Sequence, residues 1–142
     1  MLPLPVLSVR MAQQGQGNVY VAVVDDDETI CRSFARLLRA AGMQAITYLS
    51  AEAFIADVKH PQFDCLVLDV QLTGMSGLEL QRHLTGRAPA APVIFITAHD
   101  DPRAREQAVA EGCVGYFRKT AAGSDVLEAI RRAVAGPSQA PG

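Results

Sequence analysis

The chain has 142 residues, of which 49% are hydrophobic, and a formal net charge of -2. That length fits one domain with a core of ordinary size, and the near-neutral charge provides neither a broad basic field for nucleic acid nor a basic amphipathic stretch for a membrane surface. The longest apolar runs, such as Val19–Val24 and Cys65–Leu68, are strand-sized and well short of the roughly 18 residues of a membrane span, so a soluble protein is expected.

Residues Met1–Ala12 are apolar, but they contain Pro3 and Pro5 and have no basic segment ahead of the apolar stretch, which argues against a secretory signal. Met11 is an alternative start. After a polar Gln/Gly leader, Gln13–Asn18, short apolar runs alternate with helical patterns, the signature of βαβ units with a parallel sheet. Strands are predicted at Tyr20–Val24, Gln44–Tyr48, Cys65–Leu68, Val93–Thr97 and Gly115–Arg118.

The first predicted helix, with Asp27 as N-cap, places Ile30, Phe34, Leu37, Leu38 and Ala41 on one face and is closed by Gly42. The second starts from a Ser50 cap, buries Phe54, Ile55 and Val58, and stops before His60-Pro61. In the third, Ser76 and Glu79 form an S-x-x-E capping box ahead of Leu80 and Leu84. The fourth opens with Asp101-Pro102 and ends at Gly112; its apolar face is only Ala104, Ala108 and Val109, so it is expected to be the most weakly anchored and the moving element. The fifth, from about Ser124, buries Val126, Leu127, Ile130 and Val134. Residues 1–18 thus read as a flexible N-terminal leader, 19–135 as the domain and 136–142 as a C-terminal tail or linker. Cys31, Cys65 and Cys113 are widely spaced, form no metal-ligand cluster and fit a reducing cytoplasm.

Chemistry-bearing residues follow the strands directly: Asp25, Asp26 and Asp27 after the first, Asp69 after the third, Thr97 at the end of the fourth and Lys119 after the fifth. In an open parallel sheet the strand carboxyl ends share one edge, and ligands bind where the strand order reverses. With the flavodoxin-like order 2-1-3-4-5, Asp25, Asp26 and Asp69 converge there. Three carboxylates in a small volume demand a cation or raised pKa values, and oxygen ligands without His or Cys favour Mg²⁺. A carboxylate beside Mg²⁺, with the Lys119 ammonium and the Thr97 hydroxyl opposite, matches the needs of phosphoryl transfer.

Val23-Val24-Asp25-Asp26, Leu66-Val67-Leu68-Asp69, Met75-Ser76-Gly77-Leu78-Glu79-Leu80, Ile96-Thr97-Ala98 and Gly115-Tyr116-Phe117-Arg118-Lys119 together resemble the receiver-domain motifs of two-component response regulators, over roughly Val19 to Ala135. The resemblance implies an α/β domain with five parallel strands in the order 2-1-3-4-5 and five flanking helices. It makes Asp69 the phospho-acceptor and, with Asp26, a direct Mg²⁺ ligand; Asp25 binds the metal through water and Gln71 offers its backbone carbonyl. Thr97 and Lys119 contact the phosphoryl group, and small Ala98 leaves its approach open. Tyr116 corresponds to the aromatic switch residue that turns inward when Thr97 is drawn to the phosphate, reporting to the surface of the fourth helix, fifth strand and fifth helix, which is also the expected homodimer face. Gln71 and His99, two positions beyond Asp69 and Thr97, are expected to tune phosphate lifetime. The implied partner is a sensor histidine kinase or phosphotransfer protein, with no direct nucleic-acid or membrane binding by this segment. The implied chemistry is limited to the domain's own phosphorylation and dephosphorylation.

Two positions depart from the family pattern, which has proline where this chain has Thr73 and Thr120. Thr73 is expected to loosen the loop after Asp69, and Thr120 to alter the backbone beside Lys119. Taken singly, an Asp run at a strand end is a solvated turn or cap, and Asp27 is read so; His60, His83 and His99 read as loop or surface residues. An aspartyl-nucleophile phosphatase of the haloacid-dehalogenase type would need a D-x-D motif, whereas this chain has Asp69-Val70-Gln71. A pseudo-receiver that only binds partners would lack Asp69 or Lys119.

Overall fold

The computed structural model describes residues 18–87 and 90–136. The expected leader and tail lie outside the described residues, apart from Asn18 and Gly136. The elements run β1 (Tyr20–Val24), α1 (Glu28–Ala40), β2 (Gln44–Tyr48), α2 (Ala51–Ala56), β3 (Cys65–Asp69), α3 (Gly77–Leu84), β4 (Val93–Thr97), α4 (Pro102–Ala110), β5 (Gly115–Arg118) and α5 (Gly123–Ala135). The strands form one parallel sheet in the order β2-β1-β3-β4-β5, as the strand pattern and the motif resemblance imply. The third strand extends one residue past its expected end, so that Asp69 is itself a strand residue.

The period of two in the central strands builds a core on each face of the sheet. Ala22, Val24, Leu66, Leu68, Val93 and Phe95 meet Ala51 and Phe54 of α2, Leu80 of α3, and Ala104 and Ala108 of α4. Val21, Val23, Cys65, Val67, Ile94 and Ile96 meet Cys31, Ala35 and Leu38 of α1, and Val126 and Ile130 of α5. Each fully buried aliphatic or aromatic side chain contributes about 1.5–3 kcal/mol, so β1, β3 and β4 form a stiff platform whose carboxyl ends stay in register.

The helix faces differ in part from those expected. In α1 the fully buried stripe is Cys31, Ala35 and Leu38, while Ile30, Phe34 and Leu37 are only half-buried, because small residues let the helix lie close to the sheet. The second helix is a single six-residue piece: Ala51 and Phe54 face the core at i, i+3 spacing, which leaves Ile55 at the rim and Val58, past the C-cap Asp57, 85% exposed. In α4 only Ala104 and Ala108 are buried; Val109 points to solvent at 59% exposure. Leu127 and Val134 of α5 are half-buried, and α5 begins at Gly123, one residue before its expected start, on an Ala122 cap that makes no side-chain bond.

Other local expectations hold. Asp27 caps α1 through Oδ1, Ser50 caps α2, Asp101 caps α4 with Pro102 in its first turn, and Ser76 with Glu79 closes a capping box on α3. Cys31 and Cys65 are buried thiols, and Cys113 is half-buried. His60, expected as plain loop, is half-buried and stacks on Phe54 at 5.5 Å and against Phe63 at 4.7 Å between ring centroids. The α4 helix carries no large core side chain, but a buried polar tether holds it: Gln81 Nε2 of α3 donates to the Ala108 carbonyl at 3.1 Å. No helix of the described residues is long and apolar enough to cross a membrane.

Candidate functional site

The pairing of β1 with β3 places Val24 beside Leu68, so the residues that follow, Asp25 and Asp69, stand at adjacent positions on the carboxyl edge of the sheet. Both are buried. The Asp25 amide donates to the Tyr48 carbonyl at 3.0 Å, which holds it against the end of β2, and Asp25 Oδ1 accepts the Asp27 amide at 2.9 Å, which starts the turn into α1. On the other side the Asp69 Oδ1 accepts the Gln71 amide at 3.2 Å. Gly77 is required here by close packing: a Cβ on it would stand 2.0 Å from the Asp69 carbonyl oxygen, while its amide donates to the Val70 carbonyl at 3.0 Å.

Lys119 arrives from β5. Its backbone amide donates to the Thr97 carbonyl at 2.8 Å, and its Nζ reaches across to Asp25 Oδ2 at 2.9 Å and Asp69 Oδ2 at 3.1 Å. The ammonium therefore stays beside Asp69 with Thr120, not proline, next in the chain. Asp26 completes the group from the exposed side: one carboxylate oxygen from each of Asp25, Asp26 and Asp69 lies within 4.8 Å of the others.

One ammonium cannot neutralise three carboxylates. Burial and the neighbouring Asp25 charge push the Asp69 carboxyl up to about 6, against the opposing pull of Lys119. For Lys119, burial works against its charge, but the hydrogen bonds and charges of Asp25 and Asp69 outweigh it and hold the ammonium above its ordinary value. The residual negative charge and an all-oxygen donor set without His or Cys fit a hard divalent cation such as Mg²⁺, with Asp25, Asp26 and Asp69 as the side chains that would hold it. Gln71 is exposed and adjoins Asp69 through its amide.

The remaining site residues expected from sequence lie around this cluster. Thr97 is buried at the end of β4, and its hydroxyl donates to the His99 carbonyl at 2.7 Å and accepts the His99 amide at 3.2 Å. Its hydroxyl is thus engaged with the loop ahead of α4 in this conformation. Ala98 and His99 are exposed. Tyr116 pairs with Phe95 across β4 and β5, its ring packs 6.1 Å from that of Phe95, and the Arg105 guanidinium of α4 lies 4.9 Å from its centroid. Its hydroxyl is buried without a hydrogen-bond partner, and burial pushes its pKa up.

Three contacts escape a reading of the sequence. Thr73, expected to loosen the loop, instead ties it down: its amide and hydroxyl donate to Asp26 Oδ2 at 3.3 and 3.1 Å. Glu52 Oε2 of α2 accepts the Met75 amide at 2.8 Å, a bond that draws the carboxyl below its usual value. The Cys31 thiol donates to the Asp25 carbonyl at 3.2 Å. No motif marks them, because each partner pair meets only through the fold.

A family model of the response regulator receiver domain matches residues 21–131. The response regulator protein TmoT of Ectopseudomonas mendocina is 36% identical over 114 residues, covering 80% of this chain and 52% of that protein. The transcriptional regulatory protein FixJ of Rhizobium meliloti is 35% identical over 113 residues, covering 80% of this chain and 55% of that protein; the chain thus spans about half the length of these relatives. The crystal structure of a response regulator receiver protein from Burkholderia phymatum superposes with a TM-score of 0.73 at 40% identity, covering 83% of this chain and 96% of that one. With five strands in the order 2-1-3-4-5, an acidic cluster at the β1/β3 edge and this match over most of its length, the chain belongs to the response regulator receiver domain family.

Proposed function

We propose that this domain takes a phosphoryl group on Asp69 from a partner histidine kinase or phosphotransfer protein, with Mg²⁺, and passes the event on through the face formed by α4, β5 and α5. Asp69 carries the proposal: it is a buried carboxylate at the β1/β3 edge, with an ammonium 3.1 Å away and two further carboxylates beside it. In the reaction an Asp69 oxygen forms a bond to phosphorus while the bond between phosphorus and the donor's leaving group breaks. In this reading Asp26 and Asp69 would hold the metal, with Asp25 acting through water and Gln71 through its backbone carbonyl. A bound Mg²⁺ offsets charge on the phosphoryl oxygens. The Lys119 ammonium, 3.1 Å from Asp69 Oδ2, would do the same.

Thr97 binds the phosphoryl group through its hydroxyl once it exchanges its bond to the His99 carbonyl. That exchange frees the loop ahead of α4, whose core contacts are only Ala104 and Ala108, and Tyr116 and Arg105 sit where β5 meets this helix. Phosphorylation then shifts an existing equilibrium of α4 and Tyr116. The same face is the proposed homodimer contact. Gln71 and His99 border the site and tune phosphate lifetime by controlling where the hydrolytic water stands. The domain itself turns over no external substrate. Its free cysteines, Cys31, Cys65 and Cys113, suit a reducing cytoplasm, and DNA binding in relatives named as transcriptional regulators belongs, in this proposal, to a separate output domain.

Beryllofluoride tests the proposal against a pseudo-receiver. With Mg²⁺ it should bind tightly and shift amide resonances around Asp69, Thr97 and Lys119, and Asp69→Asn should abolish the effect. Resonances unchanged in the wild-type domain would refute the phosphoacceptor assignment.

A further inference from the structure

We infer that Thr73 is a positioning residue for the metal: it holds the Asp26 carboxylate in the orientation that meets the other two ligands. The inference rests on the proposed Mg²⁺-dependent reading of the site.

Asp26 differs from its neighbours in how it is fixed. Asp25 is buried and held by the Asp27 amide and Lys119. Asp69 is buried and held by the Gln71 amide and Lys119. Asp26 is exposed and makes no ion pair among the described residues; its side-chain hydrogen bonds come only from Thr73, whose amide and hydroxyl both reach Oδ2, at 3.3 and 3.1 Å. An exposed aspartate otherwise samples several staggered rotamers, and binding a metal through one of them costs the lost freedom. In the Thr73-bound rotamer one Asp26 oxygen already lies within 4.8 Å of those of Asp25 and Asp69. The ordering is therefore done before the cation arrives.

Thr73 is a firm donor because the turn that follows it is pinned to α2. Next to it Gly74 turns the chain at φ +82°, and a Cβ there would stand 2.7 Å from Glu52 Oε2. The same carboxylate oxygen accepts the Met75 amide at 2.8 Å. The β-branch of threonine restricts χ1, so hydroxyl and amide converge on one acceptor. A contact path thus runs from Glu52 of α2, through the Gly74-Met75 turn and Thr73, to Asp26. Outer-shell partners of this kind orient a ligating carboxylate, and their loss weakens metal binding.

The test is a titration of the unphosphorylated, full 142-residue chain with MgCl₂ at constant ionic strength and pH 8, read from amide resonances, so that no activity enters. Because Asp26 is exposed, Thr73→Val and Thr73→Ala should weaken Mg²⁺ binding by about 3- to 10-fold, while Thr73→Ser, which keeps the hydroxyl, should stay within about twofold of wild type. Thermal unfolding without Mg²⁺ should be alike in all four proteins, since the residue is exposed. Unchanged or tighter binding in the Val and Ala variants would overturn the positioning role and leave the phosphoacceptor reading standing. Equal weakening in the Ser variant would also overturn it, because the hydroxyl would then not be the cause. A wild-type chain that binds no Mg²⁺ would overturn the metal-dependent reading itself.

Discussion

Replacing Asp69 with asparagine should stabilise the fold at neutral and alkaline pH, although it removes one partner of an ion pair. The carboxyl is buried beside Asp25, and Lys119 is shared between the two at 2.9 and 3.1 Å. In the folded protein its pKa is raised from 3.8 to about 6. A raised carboxyl pKa means that the folded state holds the proton more tightly than the unfolded chain, so between these two values stability falls as pH rises. Above them the charged form costs about 3 kcal/mol of stability, and the coupling with Asp25 and Lys119 brings the expected gain for Asp69→Asn to about 2 kcal/mol. The asparagine oxygen can still accept the Gln71 amide, and Lys119 keeps Asp25. Urea unfolding at pH 8 should therefore show a midpoint higher by about 1 M for the variant without Mg²⁺, and the difference should vanish as pH falls below about 4. Equal or lower stability of Asp69→Asn at pH 8 would show that the Lys119 pairing outweighs burial and repulsion at this carboxylate.

Gly77→Ala drives a Cβ to within 2.0 Å of the Asp69 carbonyl oxygen; backbone must move, and urea unfolding should report a loss of at least about 3 kcal/mol. Substituting Gln71 or His99, both at the exposed rim, should change the rate of phosphate loss, followed by intact mass over time, without preventing labelling; unchanged decay in both would remove them from the site. Phosphorylation should change amide exchange most in α4 and around Tyr116, because α4 buries only Ala104 and Ala108 and is otherwise tied down by Gln81 and by Arg105 over the Tyr116 ring; a largest change in α2 would refute that route.

The sheet is legible in the chain because its three central strands, β1, β3 and β4, carry nearly continuous apolar runs, and chemistry-bearing residues stand at their ends. The N-terminal caps, Asp27, Ser50, Ser76 with Glu79, and Asp101 with Pro102, act within one turn and are readable because their partners are local. Helix faces are less legible. Which of Ile30, Cys31, Phe34 and Ala35 faces the sheet depends on how closely α1 can approach, and small residues decide it. Ile55, Val58 and Val109 read as core by composition, yet the short helices that carry or precede them expose those positions. Thr73 and Asp26 stand 47 residues apart, and Glu52 and Met75 stand 23 apart. A threonine in place of a proline signals a missing constraint until the fold supplies a carboxylate for its hydroxyl.

Intact-mass measurement after incubation with acetyl phosphate, with and without Mg²⁺, tests the phosphoacceptor assignment most directly. The wild-type chain should gain one phosphoryl group only when Mg²⁺ is present, and Asp69→Asn, with the Lys119 and Asp25 pair intact, should gain none. Equal labelling of Asp69→Asn, or labelling of the wild type that ignores Mg²⁺, would contradict the account.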